Sequence, residues 1–126
     1  MDVTDSVEVP DPMTEAGSTR LSLRRALLDS SGDLLLLGRV RNERDTRLEV
    51  GLVRLALGAA RVNAEPIFGV GAHGGARLLV RAPLAGAPPA TIDWCDAVML
   101  HAADPLEPAE RWDWYRRFRA SLAGRL

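Results

Sequence analysis

Apolar and polar residues alternate along the chain from about residue 20 onward. In "RLSLRRALLD" (20–29), Leu21, Leu23 and Leu27 share one parity, and Arg25 is the exception. The stretch "LLLLGRVRN" (34–42) begins apolar on both faces and ends with arginines on one of them. Because "SSGD" between the two stretches is rich in turn-forming residues, the pattern predicts a β-hairpin.

The next stretch, "TRLEVGLVRLAL" (46–57), fits two patterns. Its apolar residues alternate in two runs of opposite parity: Leu48, Val50 and Leu52, then Val53, Leu55 and Leu57. A β-bulge near Gly51 to Val53 would join the two runs into one strand. A helix is the alternative, since several of the same residues also fit a 3.6-residue period. Gly51 and Gly58 favour strands, because each destabilises a helix interior by ~1 kcal/mol.

Further strands are predicted in the second half of the chain. "ARVNAEPIFGV" (60–70) is typical of a short edge strand ending at Pro66, because proline cannot donate a hydrogen bond to a central ladder. "GVGAHGG" (69–75) predicts a loop, "ARLLVRAPL" (76–84) a strand and "AGAPPA" (85–90) an extended connection. "TIDWCDAVMLHA" (91–102) predicts the last and longest strand.

The C-terminal sequence predicts one helix over about residues 105–123. Asp104 can cap it, Pro105 suits its first position, and Gly124 is a natural end. Pro108 can delay the regular helix by a few residues. The apolar residues of this segment form a stripe at helical spacing, which predicts that the helix packs on the sheet: Trp114, Tyr115, Phe118 and Leu122.

Together these elements predict a mostly β fold with six or seven antiparallel strands, arranged as a sandwich or barrel, and one C-terminal α-helix. The architecture is analogous to immunoglobulin-like sandwiches, but no motif in the chain identifies a family. The 126 residues fit one domain, which we expect to span 20–126.

The charge is distributed unevenly. Residues 1–19 carry five acidic residues and no basic one, whereas 20–126 carries all 16 arginines of the chain against the other 12 acids. This composition predicts a disordered acidic tail at 1–19. The single cysteine excludes an intrachain disulfide. A signal-peptide pattern and an apolar run of ~18 residues are both absent, so we expect a cytoplasmic protein without a membrane partner.

The last strand holds the densest cluster of chemically capable side chains. Cys95, Met99 and His101 would share one face, and His73 would complete the set of side chains that a blue-copper site needs. However, Met99 precedes His101, and the two lie within a strand rather than a loop. A nucleophilic Cys95 thiolate would need a base nearby, and His101 is roughly 20 Å from Cys95 along an extended strand, too far to serve. We therefore interpret Cys95 as a small buried residue, and predict neither a metal nor a cofactor.

Asp96 interrupts the otherwise apolar opposite face of the same strand. Because a buried carboxylate is unfavourable unless it is paired, either a bulge turns Asp96 outward or it pairs with Arg25, Arg54 or Arg81. We expect an internal salt bridge rather than a catalytic acid.

Two groups of residues are candidates for contact with a partner. If Arg24, Arg39 and Arg41 align across the sheet, they form a basic stripe for nucleic acid or an acidic partner. These strands lack aromatic residues, which disfavours nucleic acid, and acidic residues lie between the arginines, which favours a mixed, solvated face. On the helix, Trp112 lies beside the apolar stripe, with Arg116 one turn further on. The predicted interaction residues are Trp112, Arg116, Arg119, Arg39 and Arg41.

The sequence contains no convincing catalytic constellation, which favours a non-catalytic protein-interaction or assembly module, a small accessory subunit that binds a protein partner or itself. A β-sandwich or barrel that binds a small molecule or sugar is the alternative. A small enzyme using Asp, Cys or His side chains ranks last.

Overall fold

The alternating pattern corresponds to eight β-strands followed by one α-helix. The structure, a computed structural model, describes residues 1–15, 19–84 and 91–123, so the predicted connection at 85–90 lies outside the described residues. After a short 3₁₀ turn at Thr4–Ser6, the elements in chain order are β1 (Met13–Glu15), β2 (Thr19–Leu28), β3 (Leu34–Asn42), β4 (Arg47–Leu57), β5 (Ala60–Asn63), β6 (Ile67–Val70), β7 (Gly75–Ala82), β8 (Ile92–Ala102) and α1 (Pro108–Ala123).

The strands form two antiparallel sheets of four strands each. The first sheet has the order β1-β2-β3-β7. In the second sheet β4 is central, with β8 along one edge and β5 and β6 along the other. The mostly β architecture is therefore confirmed. The strand count exceeds six or seven for two reasons: β1 forms inside the predicted tail, and Pro66 lies in a break that divides the predicted edge strand into β5 and β6.

The main core lies between the two sheets. Leu21 and Leu36 from the first sheet and Leu48 and Leu55 from the second are completely buried in it. The opposite face of the second sheet is covered by α1, so β4 is buried on both faces for most of its length. This double burial explains the two apolar runs of opposite parity. The strand interpretation is confirmed, but the pairing of β4 with β8 is irregular on either side of the predicted bulge, between Leu48 and Val50 and between Arg54 and Leu55.

The helix α1 begins at Pro108 rather than near residue 105, because proline lacks the N–H that an interior helical position requires. Phe118 and Leu122 are buried, and Trp114 and Tyr115 pack partly buried beside them against β4. The predicted apolar stripe is thus confirmed. In the described part of the chain, no helix has both the length and the apolar character needed to cross a membrane.

The structure does not show the predicted disordered tail, because residues 1–15 pack against both sheets. Val3 and Val7 are each only 8% exposed and belong to the main core. The Val3 N–H donates to the Ala26 carbonyl at 2.8 Å. Glu8 forms an isolated β-bridge with Thr91, the residue directly before β8. The acidic composition concealed this packing, since a few valines suffice to bury one face of the segment while its carboxylates stay in solvent.

Hydrogen bonds also fix the start of this segment. The side chain of Asp2 accepts hydrogen bonds from the hydroxyl and backbone N–H of Thr4 and from the Arg25 guanidinium. These bonds, with that of the Thr4 hydroxyl the largest contribution, lower the pKa of Asp2 to about 2. The carboxylate therefore stays ionised to low pH and holds the segment against the edge of β2.

Candidate interaction surface

The outward side of the first sheet carries a concentration of arginines that we call the arginine face. Its members are Arg20, Arg24 and Arg25 on β2, Arg39 and Arg41 on β3, and Arg77 on β7. They line a groove of about 850 Å³ whose other described lining residues include Ser22, Leu37 and Gly38, and none of these lining residues is acidic. The sequence predicted Arg24, Arg39 and Arg41 for such a surface. It did not predict Arg20, Arg25 and Arg77, which reach the same surface because β2 and β7 pair with β3 on either side.

The register places arginines directly opposite one another across neighbouring strands. Arg20 on β2 is the partner of Arg41 on β3, and Arg39 on β3 is the partner of Arg77 on β7. Like charges in such directly opposite positions destabilise a sheet. The arrangement therefore works against folding, and it favours the binding of negative charge.

A β-bulge increases the number of arginines on this side of β2. The register between β2 and β3 shifts between Leu23 and Arg25, so Arg24 is the extra residue, and Arg24 and Arg25 are both exposed. Gly38 lies across from the bulge, where an added Cβ would collide with the carbonyl oxygen of Ser22. The bulge and the glycine together allow two consecutive residues to reach the groove.

The acidic residues that the sequence intersperses among these arginines do not neutralise the face. Asp29 and Asp33 lie at the β2–β3 turn, Glu43 and Asp45 lie between β3 and β4, and Glu49 is buried beneath α1. Two of the six arginines form ion pairs with described carboxylates, Arg20 with Glu43 at 3.2 Å and Arg25 with Asp2 at 3.1 Å. Among the side chains that the structure describes, no carboxylate lies within ion-pair distance of Arg24, Arg39, Arg41 or Arg77. The described lining of the groove is therefore basic rather than mixed in charge, while its arginines are exposed to solvent as the sequence led us to expect.

Towards the β2–β3 turn, the same side of the sheet becomes apolar. Four half-buried leucines lie there, outside the described core clusters, and we call them the leucine patch: Leu27, Leu35, Leu37 and Leu79. Leu37 pairs with Arg25 on one side and Leu79 on the other, and Leu35 pairs with Leu27 and Arg81. Leu37 also lines the groove, so the leucine patch and the arginine face are continuous.

The other three predicted interaction residues lie on α1, on the opposite side of the molecule. Trp112 is 46% exposed, and its ring makes an edge contact with Phe68, at 5.2 Å between ring centroids. Arg116 donates to Asp113 at 2.7 Å, and the Arg119 guanidinium lies 5.8 Å from the ring centroid of Tyr115. The structure therefore separates Trp112, Arg116 and Arg119 from Arg39 and Arg41, and the five residues form two surfaces.

Asp96 is part of a structural anchor. Its carboxylate accepts a hydrogen bond of 2.6 Å from Arg54, which is 5% exposed and also donates to the carbonyl of Leu122 near the end of α1, at 2.8 Å. The hydrogen bond to Asp96 raises the pKa of Arg54. Of the three arginines considered, Arg54 is thus the partner. The irregular pairing at Cys95 also places a bulge here, but Asp96 stays partly buried against Arg54 and is not turned out to solvent.

The side chains considered for metal binding or nucleophilic chemistry are not assembled into one site. The Cys95 sulfur lies 3.6 Å from an oxygen of Asp96, and His101 lies towards the other end of β8. Burial, and secondarily the charge of Arg44, lowers the pKa of His101. His73 lies in the crossover from β6 to β7 and contacts Asp45 at 2.6 Å. Within residues 1–15, 19–84 and 91–123, no three His, Cys, Asp or Glu side chains group to hold a metal ion.

Glu49 forms a second buried anchor that the sequence did not predict. Its side chain is 0% exposed, and its Oε2 accepts hydrogen bonds from Arg111 Nε at 2.8 Å and the Leu106 N–H at 3.3 Å. Arg47 Nε lies 2.8 Å from Oε1 in an ion pair without hydrogen-bond geometry. The only signal in the sequence was a carboxylate between apolar Leu48 and Val50. Glu49 joins the start of α1 to β4.

Comparison with protein-family models, with curated proteins and with solved structures found no match.

Proposed function

We propose that this chain is a non-catalytic protein-interaction module that binds an acidic protein partner through the arginine face. The observation that carries the proposal is the groove lined by six arginines, four of which make no ion pair with any described carboxylate. Guanidinium groups bind carboxylates in a planar, bidentate geometry, so an acidic protein surface is a suitable ligand. A small accessory subunit in a cytoplasmic assembly is the role that we propose for such a module.

A protein partner fits the surface better than a single-stranded nucleic acid does. Single-stranded nucleic acids are bound largely by stacking their bases on aromatic side chains, and the described lining of the groove contains none. Instead, leucines adjoin the arginines. Apolar side chains next to charged ones are typical of protein interfaces, in which an apolar centre is surrounded by polar contacts.

The carboxylates of the buried Glu49 and the partly buried Asp96 have structural contacts, which supports a non-catalytic role. Asp96 and Glu49 each bind an arginine that also contacts α1 or belongs to it. Both acids therefore fasten the helix to the second sheet, away from the groove on the first sheet.

The test measures fluorescence anisotropy of a labelled polyglutamate peptide titrated with the purified protein, at low and at physiological salt. We expect saturable, salt-sensitive binding that weakens at least tenfold in the double variant Arg39→Glu/Arg77→Glu. This variant keeps two like charges opposite each other, so the stability of the sheet is matched. The control is Arg61→Glu on β5, an exposed position of the other sheet. Equal binding by the wild type and the double variant would refute the proposal.

A further inference from the structure

We infer that the partner presents an extended segment in which acidic residues are followed or preceded by apolar residues, so that its carboxylates contact the arginine face while its apolar side chains cover the leucine patch. The inference rests on the proposed function and specifies which kind of acidic partner the surface recognises.

The outward residues of β3 carry the pattern most clearly. Read from one end of the strand to the other, they are Leu35, Leu37, Arg39 and Arg41, two apolar residues and then two basic ones. The neighbouring strands extend both halves. Arg77 on β7 lies opposite Arg39, and Leu79 lies opposite Leu37. Along β3 the surface is thus divided into a basic half and an apolar half. On the neighbouring strands the apolar half is flanked by Arg25 and Arg81, each of which is paired with an aspartate.

An extended peptide matches this surface in spacing. Residues on the same side of an extended chain recur about every 7 Å, which is also the spacing of successive outward residues on β3. A peptide lying along β3 with the pattern apolar-x-apolar-x-acidic-x-acidic would therefore place each side chain near a complementary one. Covering the half-buried leucines of the patch would contribute favourably to the binding free energy, because their burial removes apolar surface from water.

The concave shape favours a chain segment over a lipid bilayer. The arginines and Leu37 line a groove, whereas a bilayer is broad and contacts side chains that project from a surface. The acidic N-terminal segment of the chain is already engaged, since Val3 and Val7 are in the core and Asp2 pairs with Arg25. The segment that we propose for the groove is therefore not this N-terminal segment of the same chain.

The experiment measures the affinity of three synthetic peptides for the intact protein by isothermal titration calorimetry. The first, Leu-Thr-Leu-Thr-Glu-Thr-Glu-Thr, has separate apolar and acidic halves. The second, Leu-Thr-Glu-Thr-Leu-Thr-Glu-Thr, has the same composition with the two kinds of residue mixed. The third replaces each leucine of the first by serine. We expect the first peptide to bind about tenfold more tightly than either of the others, because only it buries leucines while all its carboxylates reach arginines.

Two variants separate this inference from the proposed function. In Leu35→Thr/Leu79→Thr, which keeps β-forming residues on the sheet, the first peptide should lose its advantage while the serine peptide binds as before. Equal binding of all three peptides to the wild type would overturn the inference and leave the acidic partner intact. If Arg39→Glu/Arg77→Glu binds every peptide as the wild type does, the proposed function fails as well. Tighter binding of duplex DNA or of vesicles containing phosphatidylserine than of any peptide would overturn both.

Discussion

Replacing the buried Glu49 by glutamine should strongly destabilise the fold. The side chain is completely buried and interacts with two arginines, each with its Nε 2.8 Å from a carboxylate oxygen. Glutamine has nearly the same volume, so it leaves no cavity. It removes the negative charge and places an NH₂ group against one guanidinium, so two donors face each other.

The expected loss of stability follows from the exposure of the two arginines. Removing one partner of a buried ion pair destabilises a protein by about 3–5 kcal/mol, because the other charge remains uncompensated. Here the side chains of Arg47 and Arg111 are 38% and 21% exposed, so water compensates part of the lost charge. We therefore expect the lower end of the range, about 3 kcal/mol, and a melting temperature lower by roughly 10 °C.

The assay is urea denaturation followed by tryptophan fluorescence and by circular dichroism. The matched control is Glu43→Gln, which removes an ion pair of 3.2 Å between side chains that are 31% and 58% exposed. The control should lower the free energy of unfolding by less than ~1 kcal/mol, as exposed pairs do. If the two variants differ from the wild type by equal amounts, the reasoning about buried charge at Glu49 is refuted.

Three further predictions concern the helix and the N-terminal segment. Phe118→Ala should lower the free energy of unfolding by ~3 kcal/mol or more in urea titrations, and a negligible change would contradict the docking of α1. Deleting residues 1–9 should lower it by at least ~2 kcal/mol, because Val3 and Val7 leave the core, whereas an unchanged melting temperature would restore the tail interpretation. The depressed pKa of Asp2 means that its contribution to stability is present above pH 3.8 and is lost as the pH falls towards about 2. In melting curves recorded across this pH window, the melting temperature of Asp2→Asn should fall less than that of the wild type. The same pH profile in both proteins would contradict the role given to Asp2.

The strands were predictable because their side chains alternate, and the helix because its apolar residues recur every three or four positions. The N-terminal segment was not predictable from composition, since Val3 and Val7 are too few to produce a periodic signal among acidic neighbours. The choice between strand and helix for 46–57 also depended on tertiary packing, which the sequence does not show. The helix covers the outer face of β4, so both parities of that strand are apolar.

The candidate site was predictable only in part, because it depends on which strands are neighbours. Arg39 and Arg41 were identified from one strand. Arg77 joins them only because β7 crosses to the first sheet and pairs with β3 in register. The sequence also could not show that the acidic residues between the arginines fall in turns or beneath the helix, which decides whether the face is neutral or basic. Trp112 was identified as a candidate contact residue, but its exposure and its separation from the arginine face required the fold.

Gly38 and the bulge across from it have a consequence for how this surface can evolve. A side chain at residue 38 would collide with the backbone of Ser22, so in any descendant of this chain a substitution there requires β2 to move or to lose its extra residue. Losing that residue would restore strict alternation, and Arg24 and Arg25 could no longer both point outward. The glycine and the pair of consecutive arginines should therefore be inherited and lost together. In an alignment of orthologues, such linked changes would mark the lineages in which the groove had lost its two consecutive arginines.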